Sequence, residues 1–208
     1  MSLLSVVMLA MGSALRSMAQ TESRVDDRLQ RIDQMRVVNN FLRQTLGRVD
    51  VVKGTNNPGD RSILFAATEN NISWLGIMPA RYGVGGRYFF RLATEETTQG
   101  NALIIRYIPW TLQTVFPDWA QGESQVLAAG ITDLKVEAEG LPLEIQTTPA
   151  DWPRGWQSGW PVKDAPPQRL RLTWADAKGE WPPLVIAIVP TTQSQPSSGG
   201  FVAGGSVR

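Results

Sequence analysis

The residue types that most often do chemistry are missing or scattered in this chain. It has no histidine and no cysteine. That removes the commonest general base, the usual partner of a nucleophilic serine, thiolate metal sites, disulfides and cysteine nucleophiles. Any catalysis would fall to carboxylates, lysines or tyrosines. Asp118, Glu123, Asp133 and Asp151 show no spacing that argues for a paired acid and base, so the expectation is no enzyme, no cofactor and no metal. The loop Lys53-Gly54-Thr55-Asn56-Asn57-Pro58-Gly59-Asp60 has calcium-type oxygen ligands, but only one carboxylate and no ordered ligand spacing. Tyr82-Gly83-Val84-Gly85-Gly86-Arg87 loosely resembles a glycine-rich phosphate loop. It lacks the following Lys-Ser/Thr and a following helix pattern, so a flexible hairpin loop fits better. Trp152, Trp156 and Trp160 recur every four residues in an aromatic-proline stretch. Such rings can stack on sugars or proline-rich ligands; the simpler use is to pin a long loop onto a sheet. With Trp119 they are the candidate partner contacts.

The first fifty residues organise the rest. Residues 1–15 carry no charge, Arg16 is the first ionised side chain, and no proline occurs before Pro58. The pattern predicts one helix, apolar all round at the start and amphipathic afterwards. Leu3, Leu4, Val6, Val7, Met8, Leu9, Met11 and Leu15 form the apolar segment. At about 1.5 Å per residue it spans roughly 22 Å, short of a bilayer core of about 30 Å. It has no basic leader and no cleavage site before a separate domain. The expectation is a membrane anchor whose first turns lie upstream of Met1. Val25, Leu29, Ile32, Met35, Leu42, Leu46 and Val49 then recur at steps of three and four residues up to the helix end expected near Val52. This stripe is expected to pack on a sheet of the same chain.

The remaining residues read as β-structure and loops. Strands are expected over residues 62–67, 72–78, 87–94, 102–108, 126–138, 170–174 and 184–189. No helix of crossover length separates them, so pairing should be antiparallel, with hairpins from 87–94 and 102–108 and from 170–174 and 184–189. The run Leu184-Val185-Ile186-Ala187-Ile188-Val189 reads as buried on both faces. Loops are expected at 79–86, 110–125 and 151–161, and the Gly/Ser/Gln-rich tail at 191–208 reads as disordered. The organisation is thus an incomplete hydrophobic helix segment at 1–15, an amphipathic helix at 16–52, a β-rich domain at 53–190 and the tail. The fold class is α+β, one long N-terminal helix packed on antiparallel sheet. A formal net charge of +1 over 208 residues sets up no field that would collect nucleic acid.

Several stretches together resemble one family. Leu3-Leu4-Ser5-Val6-Val7-Met8-Leu9-Ala10-Met11 is similar to the second part of the methylated N-terminal segment of type IV pilins and pseudopilins. Asn71-Ile72-Ser73-Trp74, Gly130-Ile131-Thr132-Asp133-Leu134-Lys135-Val136, Trp156-Gln157-Ser158-Gly159-Trp160-Pro161 and Pro166-Pro167-Gln168-Arg169-Leu170-Arg171-Leu172-Thr173, in that order, resemble the J-type minor pseudopilin of the type II secretion system. The family's basic leader, its peptidase site and the Glu near its mature start have no counterpart here, so cleavage and N-methylation are assigned to no residue.

The resemblance implies a pilin-like fold and a role in assembly. J-type minor pseudopilins join I-type and K-type partners in a complex at the tip of the periplasmic pseudopilus, which starts fibre assembly and supports protein export across the outer membrane. It also implies contact with other pseudopilins, and a single-pass location in the bacterial inner membrane with the domain in the periplasm. Two other readings stand beside it: a minor pilin of a type IV pilus, and a membrane-anchored periplasmic carbohydrate-binding module using Trp152, Trp156 and Trp160.

Overall fold

The computed structural model describes residues 29–53, 62–82, 85–98, 100–141 and 152–191. The apolar segment from Leu3 to Leu15, Val25, the loop 54–61 and the tail after Thr191 lie outside the described residues.

Residues 29–46 form the helix α1. It ends earlier than the sequence pattern suggested, and Gly47 shows why. A Cβ at Gly47 would lie 2.4 Å from the carbonyl oxygen of Arg43, the same oxygen that accepts the Gly47 N–H at 3.1 Å. Only glycine permits that close turn. Beyond it the chain is claimed by strands: the Asp50 N–H donates to Leu75 O at 2.9 Å and the Thr191 N–H to Val49 O at 2.9 Å. These tertiary bonds replace two further helical turns.

Among the described residues ten strands make two sheets. The first contains β1 (Phe65–Ala67), β2 (Asn71–Ile77), β3 (Arg87–Thr97), β4 (Gly100–Pro109) and β5 (Glu123–Ala129), neighbours in that order. The second contains β6 (Ile131–Glu139), β7 (Trp156–Ser158), β8 (Arg169–Asp176), β9 (Gly179–Glu180) and β10 (Leu184–Ala187), in the order β10-β8-β6-β7 with β9 added on β8. All of these pairings are antiparallel. Gly130, at φ 71°, divides the single strand expected over 126–138 and carries the chain from the first sheet to the second. Glycine reaches that left-handed backbone without the Cβ clash other residues meet.

The expected fold class needs correction. Among the described residues strand accounts for 51% and helix for 17%, with a single short α-helix. The molecule is a β-rich fold and not a long helix packed on a sheet. The physical reason is that the two sheets bury each other. Ile72, Trp74, Phe90, Leu92, Leu103 and Ile105 from the first share one core with Leu134, Val136, Leu170, Leu172, Trp174 and Ile186 from the second.

The C-terminal half of α1 joins that core through Val38, Phe41, Leu42 and Leu46, followed by Val49. Met35 is half-buried against it. Leu29 and Ile32, expected on the packed stripe, are 54% and 49% exposed. Each three-residue step turns a helix back by about 60°, because a turn takes about 3.6 residues. A stripe from Leu29 through Ile32 to Met35 therefore winds around the helix and reaches the core only at its end. The first turns of α1 are held instead by polar contacts, Arg31 to Asp176 at 3.1 Å and Gln34 to Leu127 O at 3.1 Å.

A second, smaller core lies on the outer face of the first sheet. Phe89 and Phe90 are adjacent in β3 and point to opposite faces. Phe90 stacks on Trp74 with ring centroids 5.2 Å apart. Phe89 packs with Leu64 and Leu75 under Val52, Trp110, Phe116 and Trp119. The strand β10 also differs from expectation: Leu184 and Ile186 are buried, whereas Ala187 and Val189 are exposed, so only one face is covered.

Candidate partner-binding surface

The structure separates the four candidate tryptophans. Trp160 is 7% exposed and belongs to the main core. Its backbone N–H donates to Ala67 O at 2.9 Å and its indole N–H to Ala165 O at 2.8 Å. Trp152 is half-buried and meets it edge-on, with ring centroids 6.1 Å apart. These two pin the segment 152–165 against the edge strand β1, which corrects the partner-contact expectation for Trp160. Trp119 is half-buried in the outer core, tilted on Phe116. Trp156 alone lies over charged groups, 4.5 Å from the Arg171 guanidinium and 5.9 Å from that of Arg169. The three indoles of 152–160 share no common face, so they form no stacking platform for a sugar.

Several charged groups of the sheets are paired across strands. In the β6–β8 register Glu137 faces Arg171 and Glu139 faces Arg169. Arg171 donates to both oxygens of Glu137, at 2.7 and 2.8 Å, and Arg169 donates to both oxygens of Glu139. On the first sheet Arg106 holds Glu95 at 2.6 and 2.8 Å. Hydrogen bonds from these arginines keep the carboxyls of Glu95 and Glu137 below their ordinary range. Asp50 is different. It is 3% exposed, and its pKa is raised by burial, against the pull of Arg87 at 2.6 Å.

Asp176 ties α1 to the end of β8. It accepts from Arg31 at 3.1 Å, from the Trp181 indole at 2.7 Å and from the Lys178 N–H at 2.7 Å. The carboxylates singled out in the sequence are not gathered into one site. Asp118 caps the short helix Trp119–Gln121 through the Ala120 N–H at 3.0 Å. Glu123 accepts from the Tyr107 hydroxyl at 2.9 Å. Asp133 is exposed on β6, and Asp151 lies outside the described residues. Among the described residues no group of three or more acidic side chains is placed to hold a metal ion.

Apolar surface is the feature left for recognition. A pocket of about 400 Å³ opens between α1 and the β4–β5 edge, lined by Val37, Phe41, Tyr82, Tyr107, Val126 and Leu127 among others. Val37, Tyr82 and Val126 are themselves exposed. Leu29 and Ile32, nearer the start of the described helix, are also exposed but do not line this pocket. On the outer side of the first sheet, Leu112 and Val115 stand out at 77% and 64% exposure.

The chain matches no protein-family model and no curated protein. Among the described residues, no helix is long and apolar enough to cross a membrane.

Reasoning from sequence missed Val38 and Phe41 on α1, and it passed over Leu112 and Val115. A signal for the second pair was present. From Pro109 to Pro117 no residue is charged, yet the stretch has no strand or helix periodicity that would bury its aliphatics.

Proposed function

We propose that the protein is a non-catalytic assembly subunit, and specifically a J-type minor pseudopilin of a type II secretion system. In this role its apolar N-terminal residues are held in the inner membrane, and its β-rich domain joins I-type and K-type partners at the tip of the periplasmic pseudopilus. The reading rests on the residues that resemble that family and on the exposed apolar surface. It does not rest on a long helix laid over a sheet.

The observation that carries the proposal is the pocket beside α1. It is lined mostly by apolar side chains, and Val37, Tyr82 and Val126 on it are exposed. Apolar surface gathered around one pocket, with no cluster of catalytic side chains beside it among the described residues, favours a protein interface over a reactive cleft. Three of the stretches that resemble the family, 130–136, 156–161 and 166–173, also meet in one place. Gly159 donates to Val136 O at 2.9 Å, and Leu172 pairs with Val136 across β6 and β8.

The test is co-purification. The full chain, in detergent, is mixed with the I-type and K-type subunits of the same organism and run on size exclusion. A stable heterocomplex is the expected result. Folded protein that elutes apart from folded partners would overturn the reading in favour of a type IV minor pilin.

A further inference from the structure

Asp50 is the only buried carboxylate among the described residues, at 3% exposure. It lies where three parts of the chain meet. Its N–H donates to Leu75 O in β2, and the N–H of Val51 donates to Thr191 O. Its carboxylate meets Arg87 Nε, at the start of β3, at 2.6 Å. The other segments bonded here, β2, residues 62–67 and Thr191, carry no charge. Arg48 and Lys53, on the same segment as Asp50, are exposed. Burial outweighs the pull of Arg87, so the carboxyl titrates above the ordinary aspartate value of 3.8.

The same guanidinium has a second contact, 4.9 Å from the centroid of the Trp110 ring. Trp110 closes the turn that follows it. Its indole N–H donates to Gln113 O at 2.9 Å, and the Gln113 side chain accepts the Thr111 N–H at 2.7 Å. Leu112, between them, is held at φ 68°, left-handed backbone that strains a residue with a Cβ. Such a conformation persists only while its surroundings impose it. The Arg87 side chain is 22% exposed, so water is within its reach.

We propose that the Asp50–Arg87 pair is an acid-sensitive latch on residues 110–116. A proton on the Asp50 carboxylate removes the charge that holds Arg87. The guanidinium then leaves the Trp110 ring for water, and the strained turn at Leu112 relaxes away from the first sheet. The backbone bonds from Asp50 to Leu75 O and from Trp110 to Arg87 O do not depend on that proton, so the sheet stays intact and the loop beyond Trp110 moves. The sign sets this apart from acid unfolding. The folded carboxyl takes its proton more readily than an unfolded one, so protonating Asp50 does not itself weaken the fold. The latch works whether or not the assembly reading holds.

The chain has no cysteine, so a nitroxide on Val115→Cys reports this loop alone, and one on Lys135→Cys reports the second sheet. Full-length protein in detergent is followed by electron paramagnetic resonance from neutral pH to about 4. The expected result is a label at 115 that becomes mobile with a midpoint above 3.8, while the label at 135 is unchanged. Adding Asp50→Asn, neutral at every pH, should free the label at 115 at neutral pH and abolish the titration. Amide exchange across 110–116 should then be at least about tenfold faster than in the wild type at the same pH. Constant mobility at 115 in folded protein, or a titration that survives Asp50→Asn, would overturn the latch. A simultaneous change at 115 and 135 would overturn it in favour of general acid unfolding. If Asp50→Asn does not fold, the pH series on the labelled Asp50 chain decides alone.

Discussion

Arg87 holds the buried Asp50 carboxylate with its Nε at 2.6 Å and lies over the Trp110 ring at 4.9 Å. One guanidinium therefore ties the segment after α1 to the loop that presents Leu112. Arg87 Cα sits at the start of β3, so both attachments are referred to a strand in the middle of the first sheet.

Replacing Arg87 by Met leaves Asp50 buried without its counter-charge. Removing one partner of a buried pair costs about 3–5 kcal/mol, because the remaining charge is desolvated and uncompensated. The expected outcome is that loss in the urea midpoint at neutral pH. Burial then acts alone to favour the neutral carboxyl, so the gap to the wild type should narrow on acidification. A gap of the same size at all pH values would rule out this account.

The tryptophans of the 152–160 segment should divide by burial. Trp160→Ala removes a core indole and its hydrogen bond to Ala165, with an expected loss of about 3–5 kcal/mol. Trp156→Ala removes a half-buried ring that lies on half-buried Arg171 and exposed Arg169, and should cost less than about 1 kcal/mol. Chemical denaturation of both variants checks this. Equal losses would mean that the fold does not distinguish the two positions.

Acid should weaken the sheets through Glu95 and Glu137. Both carboxyls titrate below their ordinary value of 4.5 when folded, owing to hydrogen bonds from Arg106 and Arg171. For an acid with a lowered folded pKa, the stabilisation is present above the unfolded value and is lost as the pH falls through the folded one. Asp50 has the opposite sign, since its raised pKa favours folding as it gains a proton. The window therefore begins near 4.5 and extends downward. A Glu95→Gln, Glu137→Gln double variant should show a shallower decline of stability there, and a decline parallel to the wild type would refute the assignment.

Much of the β-structure was legible in the chain. Leu134, Val136 and Ala138 alternate with charged residues and face the core. Leu170, Leu172 and Trp174 do the same in β8. These strands are half-covered, and half-coverage writes a period of two into the sequence. What was not legible depended on partners distant in the chain. The end of α1 is set by bonds from Val49 and Asp50 to Thr191 and Leu75, and no local pattern announces them. The run 184–189 looked buried on both sides because Ala187 and Val189 are apolar, although nothing covers them. Leu112 was hidden for a related reason: its strain and exposure come from Trp110 and Gln113 closing a turn around it.

The pairing of Val49 with Thr191 joins residues 142 positions apart. During synthesis at roughly 5–20 residues per second, the segment after α1 waits on the order of ten seconds for its strand partner to exist. Throughout that interval Val38, Phe41, Leu42 and Leu46 have no completed second sheet to lie against. The C-terminal half of α1 therefore completes its burial only after the last strand has been made, so this part of the core closes late.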